Sequence, residues 1–124
     1  MEYSPEVLRR LCLPSRCGSL RAASGELVSA EAEDRTLNVW ARFEVELTGR
    51  TIRSARFEAY GCPHFVAAAD WIAEHLEGQS AEALGDPFAQ AVRAALGVPT
   101  EKLGKLLVLE DALADCLRAA DSAG

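Results

Sequence analysis

Cysteine 62 stands inside the run Tyr60-Gly61-Cys62-Pro63-His64, where strand-like residues give way to helical ones. A thiol at a helix start lies against unsatisfied N–H groups and the positive end of the helix dipole, which favours the thiolate. Glycine before it allows close approach to the backbone. On this local evidence alone the plainer reading, a packed cysteine at a helix cap, is the favoured one. His64 offers an imidazole as a metal ligand or as a base for the thiol. Against that, zinc takes about four ligands, and a first-turn histidine ordinarily faces solvent. Asp34, after Glu31-Ala32-Glu33, reads on its own as a turn residue. Cys12 and Cys17 are separated by Leu13-Pro14-Ser15-Arg16, and nothing nearby completes a metal set, so both read as structural. Cys116 falls beside an apolar helical stripe and reads as core. His75 reads as a helix-surface residue. A thiol enzyme built on Cys62 and His64 needs an orienting group and an oxyanion site, and the sequence offers neither. The chain is therefore not read as an enzyme.

The elements that must position these residues are legible from periodicity. Ser4-Pro5-Glu6 is a helix start, with a capping serine, proline in the first turn and an acid at the positive helix end. Val7, Leu8 and Leu11 supply its apolar stripe, Pro14 stops it, and Gly18 and Gly25 mark a loop. Glu26 to Ala32 is a weak strand. Leu37, Val39, Ala41, Phe43, Val45 and Leu47 alternate with polar residues, the pattern of a half-buried strand. Thr48-Gly49-Arg50 turns it into a second strand from Ile52 to Tyr60, forming a hairpin.

Everything after Gly61 reads as helix. Pro63 opens one bearing Phe65, Val66, Ala69, Ile72, Ala73 and Leu76, closed by Gly78. Asp86-Pro87 opens a short helix that Gly97 ends. The last helix runs from about Leu103 to Ala120, with Leu106, Leu109, Leu113 and Leu117 as its buried stripe. Strands first and helices after predict an α+β domain, an antiparallel three-stranded sheet with helices packed on one face.

Composition agrees. The chain has 124 residues, 49% hydrophobic and 26% charged, enough for one domain with a real core. A formal net charge of −6 makes nucleic acid an unfavourable partner. No apolar run approaches the roughly 20 residues that span a membrane, and the start lacks a secretory pattern, so the expectation is a cytoplasmic protein. The four cysteines include no Cys-x-x-Cys pair, and a disulfide framework suits a chain with this much core poorly.

Taken together, these stretches resemble the IscU/NifU family of iron–sulfur cluster assembly scaffolds. Ala55-Arg56-Phe57 followed by Tyr60-Gly61-Cys62 is similar to the family's strand-to-helix cysteine motif. Tyr3-Ser4 through Leu13-Pro14 to Gly18-Ser19 resembles its N-terminal helix and loop. Leu109-Glu110-Asp111-Ala112 resembles a stretch of its final helix. The order and spacing fit over nearly the whole chain, implying one IscU/NifU-like domain over 1–124.

The resemblance implies a protein that holds a nascent cluster on three cysteines beside an aspartate, binding zinc at the same place in some members. Its implied partners are a cysteine desulfurase and assembly chaperones, with homo-oligomers left open. Carried over residue by residue, the middle cysteine is Cys62 and the aspartate is Asp34. The first cysteine falls on Ala32, the third on Lys105, and the histidine that often precedes the third on Gly104. The chaperone-binding stretch falls on Val98-Pro99-Thr100-Glu101-Lys102, keeping Pro99 and Lys102. A methyl cannot ligate iron, and a lysine ammonium has no lone pair at neutral pH.

Two readings follow. In one, Cys62, Asp34 and His64 bind iron, zinc or a nascent iron–sulfur cluster weakly. In the other, the chain is a metal-free homologue that docks on the desulfurase or on a true scaffold, with the Lys105 ammonium placed between Asp34 and Cys62 where the metal would be.

Overall fold

The computed structural model describes residues 4–12, 16, 18 and 26–123. The expected helix stop at Pro14, the loop glycine at 25 and the role of Cys17 lie outside these residues, as do the side chains of Leu11 and Cys12.

The first helix, α1, spans Pro5–Cys12. Ser4 caps it as its composition predicts, its Oγ accepting from the Val7 N–H at 3.2 Å. The same hydroxyl donates to the Leu96 carbonyl at 2.6 Å, joining the start of the chain to a helix far along it. The expected apolar stripe needs correcting. Val7 is fully buried, but Leu8 is 45% exposed, and among the described side chains of the helix Arg10 is the other buried one.

Three antiparallel strands follow in the order β1 (Glu26–Asp34), β2 (Val39–Thr48) and β3 (Thr51–Tyr60). The weak strand is longer than its composition implies, because β2 pairs with it along its whole length, from Glu26 opposite Leu47 to Asp34 opposite Val39. β2 and β3 form the expected hairpin. Gly49 takes the positive φ of +62° that its two-residue turn requires. A bulge at Glu46/Leu47 lets Ile52 pair with Leu47 and Ser54 with Glu46. That extra residue, Arg53, keeps Ile52 on the buried face although it is out of phase with Ala55 and Phe57.

One sheet face carries Val39, Ala41, Phe43, Val45 and Leu47 of β2, all buried. Two helices cover it. α2 (Pro63–Leu76) packs on β3, and α4 (Leu103–Ala123) packs across β1 and β2. Ala67, Ala68, Ala69 and Ala73 are completely buried on α2, and such small side chains let a helix lie close to its neighbours. Leu106, Leu109 and Leu113 of α4 are buried as their spacing predicts, with Leu117 half-buried. A 3₁₀ turn at Ala81–Gly85, α3 (Ala89–Leu96) and a 3₁₀ turn at Thr100–Lys102 connect the two long helices. Gly97 ends α3 in the left-handed conformation, as expected.

The opposite sheet face is not simply solvated. Glu44 and Glu46 alternate with the core residues as predicted, yet each is only 6% exposed. Glu44 is paired with Arg42 at 2.9 Å, whereas Oε2 of Glu46 has no hydrogen-bond partner among the described residues.

α1 is held on α2 by a buried ion cluster. Nη1 of Arg10 reaches Oδ2 of Asp70 at 2.7 Å and Oε2 of Glu74 at 3.0 Å, and its Nε reaches Glu6 at 2.6 Å. Asp70 also accepts the Arg16 backbone N–H at 2.8 Å. Arg16 and Gly18 exchange backbone hydrogen bonds with Phe57, so this stretch lies along the outer edge of β3.

Candidate functional site

Cys62 is the residue at which β3 becomes α2. It caps the helix in extended conformation, φ −70° and ψ 163°, and its carbonyl accepts from the N–H groups of Phe65 and Val66 at 2.9 and 3.1 Å. Its thiol makes no capping hydrogen bond and is half-buried against the core. The glycine before it is required by packing. A Cβ on Gly61 would stand 2.9 Å from both Val39 Cγ1 and Phe65 Cδ2, closer than carbon atoms approach.

That contact ties the Cys62 corner to β2, because Val39 is the residue paired with Asp34. Asp34 ends β1 on the helix-covered face, in phase with Ala32 and opposite Val39. Its Oδ1 accepts from the Leu37 N–H at 3.0 Å, the side-chain turn its composition predicts. Leu37 in turn lies 4.0 Å from where a Cβ on Gly104 would be, next to Lys105 at the start of α4. Three segments distant in sequence therefore meet at one end of the sheet: the β1–β2 turn, the β3–α2 corner and the first turn of α4.

His64 does not face solvent. It is 1% exposed. Burial, and then the positive charges of Lys102 and Lys105, hold its pKa below the ordinary histidine value, with Glu101 opposing them. The remnant Val98–Lys102 stretch thus lies beside the cysteine-bearing corner. Val98 is buried, and Pro99 caps the 3₁₀ turn whose last residue is Lys102.

The expected ammonium bridge is not formed: among the described residues neither Lys105 nor Asp34 enters an ion pair. Nor, among them, do three or more His, Cys, Asp or Glu side chains gather as a metal-holding group. A cluster-sized set of donors is missing on chemical grounds too. Ala32 presents a methyl, Lys105 a cation, and among the described residues one thiol stands at the corner. These residues do not fit a cluster of the ordinary kind.

Away from this corner, Cys116 is completely buried, its thiol lies 3.7 Å from the Phe43 carbonyl, and burial pushes its pKa up to about 12. It is inert core, as expected. His75 is exposed and stacks on Trp71 with ring centroids 3.7 Å apart. Sequence reading missed the buried Arg10 and Asp70. The signal available was weak: an acid inside the otherwise apolar run Ala67-Ala68-Ala69-Asp70-Trp71-Ile72.

An antiparallel sheet with one helix-covered face and a cysteine at a strand-to-helix corner define an α+β domain. The chain matches the family described as NifU-like N terminal domain over residues 2–120, and it belongs to that family. Members are scaffolds for iron–sulfur cluster assembly and not enzymes. The chain is 30% identical over 98 residues to the bifunctional protein NifU/MnmA of Rubrobacter xylanophilus, a match covering 78% of this chain and 20% of the relative. It thus spans about a fifth of that protein's length. Two crystal structures share the fold. A NifU-like N-terminal protein from Brucella abortus superposes with a TM-score of 0.73 at 16% identity, over 97% of this chain and 94% of that one. A protein from Fervidobacterium islandicum AW-1, named as a scaffold for the SUF system, gives 0.68 at 16% identity, over 93% and 96%.

Proposed function

We propose that this chain, taken as one domain over 1–124, serves iron–sulfur cluster assembly in the cytoplasm as a scaffold homologue that does not itself retain a cluster. It docks on the pathway's proteins, the cysteine desulfurase or a cluster-carrying scaffold, and modulates them. The observation that carries this reading is the pair of residues at the family's outer ligand positions, Ala32 and Lys105, on either side of a retained Cys62. A methyl and an ammonium remove two of three thiolate donors while leaving the shape of the docking domain intact.

The experiment is anaerobic reconstitution with iron and sulfide, read by visible absorption and by metal and sulfide content. The wild-type chain is expected to keep no cluster after desalting. Ala32→Cys combined with Lys105→Cys restores the family's thiol set and is expected to gain cluster absorption. A stable cluster on the wild-type chain would instead establish the other reading, in which Cys62, Asp34 and His64 hold iron, zinc or a cluster with help from an external thiol or a second copy. Desulfurase binding is measured separately, by calorimetry with the metal-free chain.

A further inference from the structure

We infer that the free edge of β1 is a strand-accepting surface for an extended, arginine-bearing segment of a partner protein. The sheet order leaves β1 paired on one side alone. The other edge, β3, is occupied: Phe57 exchanges hydrogen bonds with Arg16 and Gly18, and Thr51 bridges to Ser80. Among the described residues nothing pairs with β1 on its far side. Its backbone donors and acceptors form a ready template for one more strand.

Charge and shape specify the occupant. The sheet face away from the helices carries Glu31 and Glu33 on β1, followed across the register by Arg42 and Trp40 on β2 and by Tyr60 on β3. Glu31 enters no ion pair among the described residues, and Glu33 only a 3.7 Å contact with the highly exposed Arg35. Two adjoining surface hollows of about 120 and 300 Å³ share Glu33 and Trp40 as lining. Tyr60, 61% exposed, borders the smaller one. Carboxylates at alternate positions of an open strand, beside two aromatic faces, suit guanidinium groups at alternate positions of an incoming strand, through ion pairing and cation–π contact.

A second copy of this chain is the wrong occupant, since its net charge of −6 and the same acidic edge would repel. Acids on an edge strand also keep chains from aggregating, but that task requires no half-buried tryptophan and exposed tyrosine beside them. The surface abuts Asp34 and the end of β3, so a segment seated there brings its protein to the Cys62 corner. This deepens the docking reading above and rests on it only in assuming a protein partner. Reconstitution tests cargo and the following experiment tests the surface, so the two fail separately.

The probe is a blocked peptide alternating arginine and valine, long enough to span the nine residues of β1. Controls carry glutamate for arginine, or N-methyl groups on one or the other set of alternate amides. Binding to the metal-free full chain is followed by amide and indole NMR shifts. Expected are shifts along Glu26–Asp34 and at the Trp40 indole, no binding of the glutamate peptide, and loss of binding by one of the two methylated peptides. Glu31→Gln with Glu33→Gln weakens binding about tenfold, and Tyr60→Ser, at an exposed position that leaves the fold intact, weakens it several-fold. Equal binding by the glutamate peptide, by both methylated peptides or by the Glu31/Glu33 variant overturns the proposal. So do shifts confined to other elements, and so does the absence of binding.

Discussion

The buried cluster that joins α1 to α2 yields a quantitative prediction. The Arg10 side chain is 4% exposed and Asp70 is 0% exposed, while Glu6 and Glu74 are 35% and 37% exposed. Arg10→Met releases all three carboxylates. Glu6 stays paired with Arg9, and it and Glu74 are partly open to water, but the fully buried Asp70 loses its guanidinium partner. A charge stranded in the interior costs about 3–5 kcal/mol. Asp70→Asn retains size and one carbonyl acceptor but loses a charge-assisted bond to Arg10, costing about 1.5–3 kcal/mol. Arg10→Met combined with Asp70→Leu removes both members of the buried pair, at the cost of orphaning the Arg16 N–H. The double variant should therefore be more stable than Arg10→Met alone, by about 1–3 kcal/mol. Urea denaturation followed by far-UV circular dichroism measures each term of the cycle. Additive losses, or a double variant less stable than either single one, would refute the view that α1 is held by a mutually dependent charge pair.

Four further outcomes are expected. Because the folded-state pKa of His64 lies below its unfolded value, the unfolded chain takes up the proton first, so stability is full above the ordinary histidine range and falls as the pH drops through it. Urea midpoints at neutral and mildly acidic pH, for wild type and His64→Gln, check this, and Lys105→Met should raise the His64 titration midpoint seen by NMR. Gly61→Ala forces a methyl into Val39 and Phe65 and should cost about 1–3 kcal/mol in the same denaturation assay. Iodoacetamide with peptide mapping should modify Cys62 in the native protein and Cys116 only after unfolding, given the burial of the latter. Glu46→Met, which removes a buried carboxylate oxygen without a partner among the described residues, should raise the melting temperature in a scanning calorimeter, by about 1 kcal/mol of added stability.

Strong periodicity and punctuation made most of the elements legible. The β2 alternation, the Gly49 turn, the Ser4 cap and the Gly97 stop each predicted the observed conformation, because each is a local requirement. The family was legible from the order of its motifs, as the match over 2–120 bears out. What failed did so through tertiary context. Leu8 and Arg10 exchange the expected roles because α2 offers Asp70 to α1, and a lone acid among alanines gives little sign that it will meet an arginine sixty positions away. His64 is buried and feels the charges of Glu101, Lys102 and Lys105, distant residues that no window around His64 contains. Glu44 and Glu46 keep the predicted phase, but phase states which side a residue is on and not whether that side is covered.

The crowding at Gly61 has a consequence for how such a chain can change. The corner that carries Cys62 is closed by hydrocarbon, with Val39 and Phe65 packed against Gly61. Ala32 and Lys105 sit in half-open positions that tolerate side chains of very different size. Cargo chemistry and structural upkeep are thus written in different residues. Donors at those two positions can be exchanged one at a time while the corner stays shut.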